Sequence, residues 1–341
     1  MKAARLLAKG DIKVMECDKP EPGEGEALIA VKAVAICPSD VRIYREGESG
    51  GVAPEGPLTL GHEFAGVVDE CPGADPAFAP GTRVAVEPSW YCGECDLCLS
   101  DHQNICRNLV FPSFPPNDGA LADYICCPTS ALAELPEGTT WTEGALLEPL
   151  GVAIHAVRLA ELQPTHRIGI LGAGVIGLSI LQVARACGVG HAIVAEPNAK
   201  RRPMAKKLGA ARVARSAERL LELIEDPAEQ PDVVLEASGD PAAFEESCEL
   251  AKPGGAVIVV GIPSPDEVTF ASQIPRRKEL TITFSRRSRD TLRTCASMLA
   301  RKDVDLSSYP VQTFSLDEAP EAIETAAKPP DDVLRAVVLM E

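Results

Sequence analysis

Four cysteines in one short segment, Cys92, Cys95, Cys98 and Cys106, follow the spacing C-x2-C-x2-C-x7-C. Four thiolates this close in sequence suit a closed tetrahedral zinc site, structural because no position is left for substrate. An iron–sulfur cluster also takes four cysteines, although nothing else in the chain suggests electron transfer. Three other segments hold residues suited to a second metal: Cys37 in ICPSD (36–40), His62 and Glu63 in GHEFAG (61–66), and Glu148 in LEPL (147–150). A zinc held by a thiolate, an imidazole and a carboxylate keeps one position open for chemistry. Each of these residues alone says little, since a lone buried cysteine is usually inert and a glutamate before proline often marks a turn. Their joint presence beside the cysteine cluster is what carries the reading.

A third group points to a dinucleotide. Gly172-Ala173-Gly174-Val175-Ile176-Gly177 is a G-x-G-x-x-G that follows an apolar run and opens a helical one, and Glu196 ends the next apolar run. In that context Gly172 permits the tight turn, Gly174 lets a pyrophosphate reach the backbone, and Gly177 lets helix and sheet pack closely. The helix start supplies free N–H groups and the positive end of its dipole. Glu196 is placed to accept hydrogen bonds from both adenosine ribose hydroxyls, which favours NAD over NADP. Arg201 and Arg202 stand against this, because either could neutralise a 2′-phosphate. We read Arg201 as stacking on the adenine, the alternative being that both are solvated charges at a helix start.

The elements that must position these residues change character along the chain. Up to about residue 150 there are short β-like runs broken by Gly and Pro, such as 27–36, 64–71 and 82–88, which predict a β-barrel-like domain. From about 151 the pattern alternates: strand-like runs at 167–174, 191–196, 232–239 and 255–263, with helices at 175–188, 199–209 and 241–255 between them. That alternation predicts a doubly wound parallel sheet. The tail ends on a strand-like run, 334–340, expected to pack back on the first domain.

The 341 residues suffice for two domains, and 45% hydrophobic content supplies their cores. A net charge of −17 argues against nucleic acid and anionic membranes as partners. No apolar run reaches membrane-spanning length and the first residues lack a signal-peptide pattern, so a soluble cytoplasmic protein is expected. Of the 12 cysteines, adjacent Cys126 and Cys127 fit a compact disulfide framework poorly, which supports the metal reading in a reducing compartment. No G-x-S-x-G elbow is present, which disfavours a hydrolase.

Taken in order, CPSD, GHEFAGVV, the four-cysteine lobe, FPSFPPNDGALADY (111–124), EGALLEPLGVAIHA (143–156), GAGVIG and SMLA (297–300) resemble the zinc-containing medium-chain dehydrogenase/reductases. The 111–124 and 143–156 stretches resemble the sorbitol (polyol) dehydrogenase branch more than simple alcohol dehydrogenases. The resemblance covers nearly the whole chain. It implies a GroES-like catalytic β-barrel domain from 1–150 and 286–341, with the zinc lobe at about 90–107, and a Rossmann domain at 151–285.

The resemblance further implies that Cys37, His62 and Glu63 hold a catalytic zinc, with Glu148 bound directly or through water. The four lobe cysteines would hold a structural zinc, giving two zinc ions per chain, and the assembly would be a homodimer or homotetramer. The expected reaction is hydride transfer from a secondary alcohol of a small polyol or sugar-like substrate to NAD. Ser39 is placed to accept the hydroxyl proton, unless it only caps a turn, and Val175 is expected on the nicotinamide side. Three positions depart from the family. Pro38 stands where glycine is usual, Arg42 where a proton-carrying histidine is usual, and Arg286-Arg287-Ser288 replaces Phe-Arg-Tyr, with only Arg287 matching as a substrate-pocket residue. An aldose or threonine-type dehydrogenase of the same family is the nearest alternative. A catalytically silent NAD(P)H-binding protein with structural zinc only is the alternative from another class.

Overall fold

The computed structural model describes residues 1–48, 51–72, 78–263 and 267–340. The chain divides into two compact units. The first comprises Met1–Glu148, Arg289–Ala300 and Leu306–Glu341, and the second Pro149–Ser288 and Arg301–Asp305.

The first unit is mostly β. Its strands are β1 (Lys2–Ala8), β2 (Asp11–Glu16), β3 (Glu26–Ala35), β4 (Leu58–Thr59), β5 (Glu63–Glu70), β6 (Arg83–Val86), β7 (Tyr124–Pro128) and β8 (Leu132–Glu134). They form a three-stranded sheet, β2-β1-β4, and most of a seven-stranded one. The sequence leads one to expect a barrel. Among the described residues the sheets do not close into one, and the unit is an arrangement of open sheets. β3, EALIAVKAVA, is buried along nearly its whole length and pairs with both β5 and β7. A strand covered on both faces reads as a continuous apolar run, as this one does. Two irregularities in the β3–β5 register bend the sheet. Gly66 sits so close to β3 that an added Cβ would meet Ala30 O at 2.3 Å.

Between β3 and β4 lies helix α1 (Pro38–Glu46). Its N-cap is Cys37, Pro38 fills the first helical position, and Gly47 closes the helix at φ 79° with its N–H on Ile43 O. A proline at that first position lacks only an N–H that has no helical partner anyway, so Pro38 fits the helix start without distortion. Further on, α2 (Asp96–Leu99) lies inside the cysteine lobe, α3 (Trp141–Ala145) begins on a Thr140–Glu143 capping box, and α4 (Leu147–Leu159) carries Glu148 in its first turn.

The second unit is a six-stranded sheet in which every pairing is parallel. Its strands are β9 (Arg167–Leu171), β10 (His191–Ala195), β11 (Arg212–Ala214), β12 (Val233–Glu236), β13 (Ala256–Val259) and β14 (Thr281–Phe284), in the order β11-β10-β9-β12-β13-β14. The order reverses between β9 and β12, the place where such sheets bind ligands beyond their strand ends. The helices α5 (Val175–Ala186) and α6 (Arg202–Lys207), the latter with Pro203 in its first turn, fall within the expected segments. The helix expected at 241–255 is shorter, spanning Ala243–Leu250, and leaves its Lys-Pro-Gly-Gly end as a turn.

The chain then returns to the first unit. β15 (Val311–Ser315) and β16 (Arg335–Leu339) run parallel, and β16 pairs antiparallel with β3, completing the order β15-β16-β3-β5-β6-β8. Among the described residues no helix is long and apolar enough to cross a membrane.

Candidate metal centres and dinucleotide turn

The four lobe cysteines converge. Their sulfurs lie 3.4 Å (Cys106–Cys92), 3.5 Å (Cys95–Cys98), 3.8 Å (Cys95–Cys106) and 3.9 Å (Cys92–Cys98) apart. A tetrahedron of sulfurs at zinc–thiolate bond length has edges of about 3.8 Å, so the set fits such an ion. The backbone supports it: Cys92 N and Asn108 N both donate to Cys106 Sγ, at 3.4 and 3.3 Å. Backbone amides pull the Cys95 thiol down to about 6, while burial and neighbouring sulfurs push Cys98 up to about 12. Without a cation the four cannot all ionise, and a dication removes that conflict. The lobe is closed by the Trp90–Val110 bridge and by Arg107, which forks onto Asp96 at 2.6 and 2.7 Å.

The second cluster is drawn from separate segments. The ligand-type atoms of Cys37, His62 and Glu63 all lie within 4.8 Å of one another. Cys37 arrives as the N-cap of α1, and Glu63 opens β5 directly after His62. Glu63 is 1% and His62 3% exposed, so their polar atoms need partners. One Glu63 oxygen, Oε1, accepts from Arg335 Nη2 at 3.0 Å, while Oε2 is buried with no hydrogen-bond partner. A buried oxygen of this kind, beside a thiol and an imidazole, is suited to ligate a metal ion.

The electrostatics agree. Burial raises the Cys37 thiol and the Glu63 carboxyl, the latter partly offset by Arg335. Burial opposes charge on His62 too, yet Asp40 and Cys37 hold its pKa well above the ordinary value. Glu148, outside the tight group, is pushed up to about 8 by burial and then by the charge of Glu63. A cation among these groups would favour the deprotonated acids and the neutral imidazole. Ser39 Oγ lies 3.4 Å from His62 Nε2, inside the cluster.

Two residues that the sequence reading passed over hold this cluster in place. Asp40, fully buried, accepts from Cys37 N on Oδ2 (3.0 Å) and from Gly61 N on Oδ1 (3.1 Å). Its Oδ1 also lies 3.3 Å from His62 Nδ1, an ion-pair contact off the hydrogen-bond line. Arg335, 7% exposed, pairs with Glu63 and donates to Ile36 O at 3.3 Å. Partners of this kind fix the orientation of metal-binding side chains. The acidic residue in the first turn of α1 was a signal that could have been read for Asp40; an arginine in a strand-like tail gives none. Arg42 is engaged elsewhere on α1, its Nε shared between Glu46 Oε2 at 3.0 Å and Oε1 at 3.1 Å.

The glycine motif forms the turn from β9 into α5. Gly172 has φ 96°, a conformation that favours glycine. A Cβ on Gly177 would lie 1.9 Å from Gly172 O, whereas one on Gly174 would meet nothing within 4 Å. Gly174 is the N-cap of α5 and no side chain caps the helix there. Val175 is buried at the first helical position and Ile176 is partly exposed. Glu196 follows β10 and is 4% exposed; its oxygens accept from Ala173 N at 2.6 Å and Asn198 N at 2.8 Å. Arg201 caps α6, Arg202 donates to Glu196 O and Pro197 O, and Arg287 follows β14 with φ 56°. Glu236, another residue the sequence reading missed, ends β12 and accepts from Ser238 N and Gly239 N at 2.6 and 3.0 Å. It thereby shapes the turn beside Gly172, where an added Cβ would lie 3.0 Å from the Ser238 backbone.

Comparison with known proteins agrees with these features. Residues 23–137 match the alcohol dehydrogenase GroES-like domain and residues 175–301 the zinc-binding dehydrogenase domain. The sorbitol dehydrogenase of Bacillus subtilis (strain 168) is 33% identical over 99% of this chain and 97% of its own. Among solved structures, an alcohol dehydrogenase of Escherichia coli CFT073 in complex with NADH is similar at TM-score 0.89 and 27% identity, covering 99% of both chains. A zinc-binding dehydrogenase of Sinorhizobium meliloti 1021 bound to NADP is similar at TM-score 0.88 and 32% identity, covering 99% of this chain and 98% of its own. The molecule is thus an alcohol dehydrogenase by class. It belongs to the zinc-containing medium-chain dehydrogenase/reductase family, in the sorbitol dehydrogenase-like branch.

Proposed function

We propose that the protein oxidises a secondary alcohol of a small polyol or sugar-like substrate to the ketone, with NAD as hydride acceptor and two zinc ions per chain. The observation that carries this is the Cys37–His62–Glu63 cluster, three ligand-type atoms within 4.8 Å with one buried glutamate oxygen unpaired. These residues would hold the catalytic zinc, and Glu148, at the rim, would join or leave it. When bound, zinc supplies Lewis-acid chemistry that makes an alcohol acidic near neutral pH. Ser39 takes up the hydroxyl proton, its Oγ beside His62. Asp40 and Arg335 keep the imidazole and the carboxylate oriented. The amides at the start of α5 would receive the pyrophosphate, and Glu196 would receive the ribose hydroxyls by exchanging the amide bonds it now makes. Arg287 would contact substrate, and its replacement by alanine should raise KM. The cysteine lobe would hold the structural zinc. We place the protein in the cytoplasm as a homo-oligomer, dimer or tetramer.

The relatives support the substrate class: the Bacillus protein is a sorbitol dehydrogenase. The test is NADH formation screened across polyols, aldoses, threonine and simple alcohols, with zinc counted per chain. Two zinc equivalents and turnover of a polyol support the reading. One equivalent and no turnover would make the chain a silent nucleotide binder, and turnover confined to aldoses or threonine would move it to another branch.

A further inference from the structure

Opposite His62 runs the segment 111–119, FPSFPPNDG, whose role beyond its resemblance to polyol enzymes is open. It is fastened at three points. Asp118 Oδ1 accepts from Thr59 N at 2.8 Å. Gly119 lies against Gly61, where a Cβ would sit 2.4 Å from Gly61 O. Ser113, fully buried, donates its hydroxyl to Asp40 Oδ1 at 2.5 Å. Between these points Phe111 and Phe114 pack edge to face, and their ring centroids lie 5.1 and 6.2 Å from that of His62.

Ser113 stands in a conformation a serine does not choose: its φ is 75°, where glycine would be at ease. Strain of this kind persists when the surroundings hold it in place. Here the hydroxyl does so, because it reaches the same Asp40 oxygen that faces His62 Nδ1. We infer that Ser113 is a positioning residue that locks the aromatic segment and the His62–Asp40 pair into one unit, so that metal retention and the shape of the site wall depend on one hydroxyl. The inference rests on the reading that Cys37, His62 and Glu63 hold zinc. It assigns Ser113 no direct contact with metal or substrate.

The test uses the full-length, zinc-loaded protein and graded chelator, with zinc counted per chain and the melting temperature recorded. Cys37→Ser, left with the lobe's ion alone, gives the baseline. Ser113→Gly removes the hydroxyl and relieves the backbone; Ser113→Ala removes the hydroxyl and keeps the strain. Both should release the second zinc at about tenfold lower chelator concentration than wild type, the usual scale for a lost outer partner. Ser113→Gly should melt no lower than Ser113→Ala. Adding Ser113→Gly to Asp40→Asn should weaken retention no further than Asp40→Asn alone, since the serine acts through the aspartate. Wild-type retention in either single variant, or additive losses in the double variant, would overturn the inference while leaving the zinc reading intact. A wild type that holds one zinc overturns the zinc reading and the inference with it.

Discussion

The two candidate metal clusters are built on opposite plans. The lobe draws its four sulfurs from Cys92–Cys106, carries its own closing bridge and ion pair, and stands partly exposed. The Cys37–His62–Glu63 cluster, with His62 and Glu63 buried and Cys37 half-buried, is assembled from separate segments and balanced by charges from elsewhere, Asp40 and Arg335. A site closed within one stretch of chain answers to local stability. A site assembled by the fold answers to chemistry, and its ligands can be changed without removing what holds the fold together.

The strongest test of that contrast is to cut each cluster once. Cys37→Ser or His62→Ala should lower kcat about a thousandfold or more, the scale of losing several kcal/mol of charge stabilisation. The melting curve and NADH affinity should stay close to wild type. Cys95→Ser should do the reverse first, lowering the melting temperature by ~10 °C or more because structural zinc contributes directly to folding. A well-folded, unshifted Cys95→Ser protein without activity would erase the distinction.

The glycine turn offers the same contrast within a single motif. Gly177→Ala forces a methyl into Gly172 O and should cost both stability and NADH binding, seen by thermal melting and fluorescence titration. Gly174→Ala meets only open space, so it should melt like wild type yet bind NADH about tenfold more weakly, where a pyrophosphate must reach the backbone. A destabilised Gly174→Ala would place that glycine with the packing residues instead.

Glu196 sets a smaller effect. Its carboxylate beside a 2′-phosphate costs on the order of 1.4 kcal/mol or more, so kcat/KM should favour NAD over NADP by roughly tenfold. Glu196→Ala should narrow that ratio. Equal use of both cofactors by wild type would count against the assignment, and the NADP-bound relative makes the measurement worth doing. The smallest change is expected at Arg42. A guanidinium does not pass protons, and this one is spent on Glu46 at the helix surface. Arg42→His should therefore leave kcat undiminished near pH 7; a large loss together with a raised KM would show that Arg42 serves a ligand.

These cases also show what could be read from residues alone. The convergence of the lobe's four sulfurs was legible because its cysteines are neighbours in sequence. The glycine turn was legible because its spacing, strand and helix come together. The barrel was not: short strands signal a β domain, but whether its sheets close depends on long-range pairing, and here they stay open. Arg335 and Ser113 were invisible for the same reason. Ser113 meets Asp40 across 73 positions, and Arg335 meets Glu63 across 272. Nothing in either local pattern reports the partner.

The Arg335–Glu63 pair has a consequence for the order in which the molecule is made. A ribosome delivers Glu63 early and its counter-charge only after the entire parallel sheet has been synthesised. Until β16 slides in beside β3, the nascent first unit has a gap in its main sheet and a buried carboxylate without its cation. The second unit, whose strands are nearly all contiguous, can fold while it waits. The pocket around Glu63 can therefore close only once β16 has been made, 272 positions after the carboxylate that it serves.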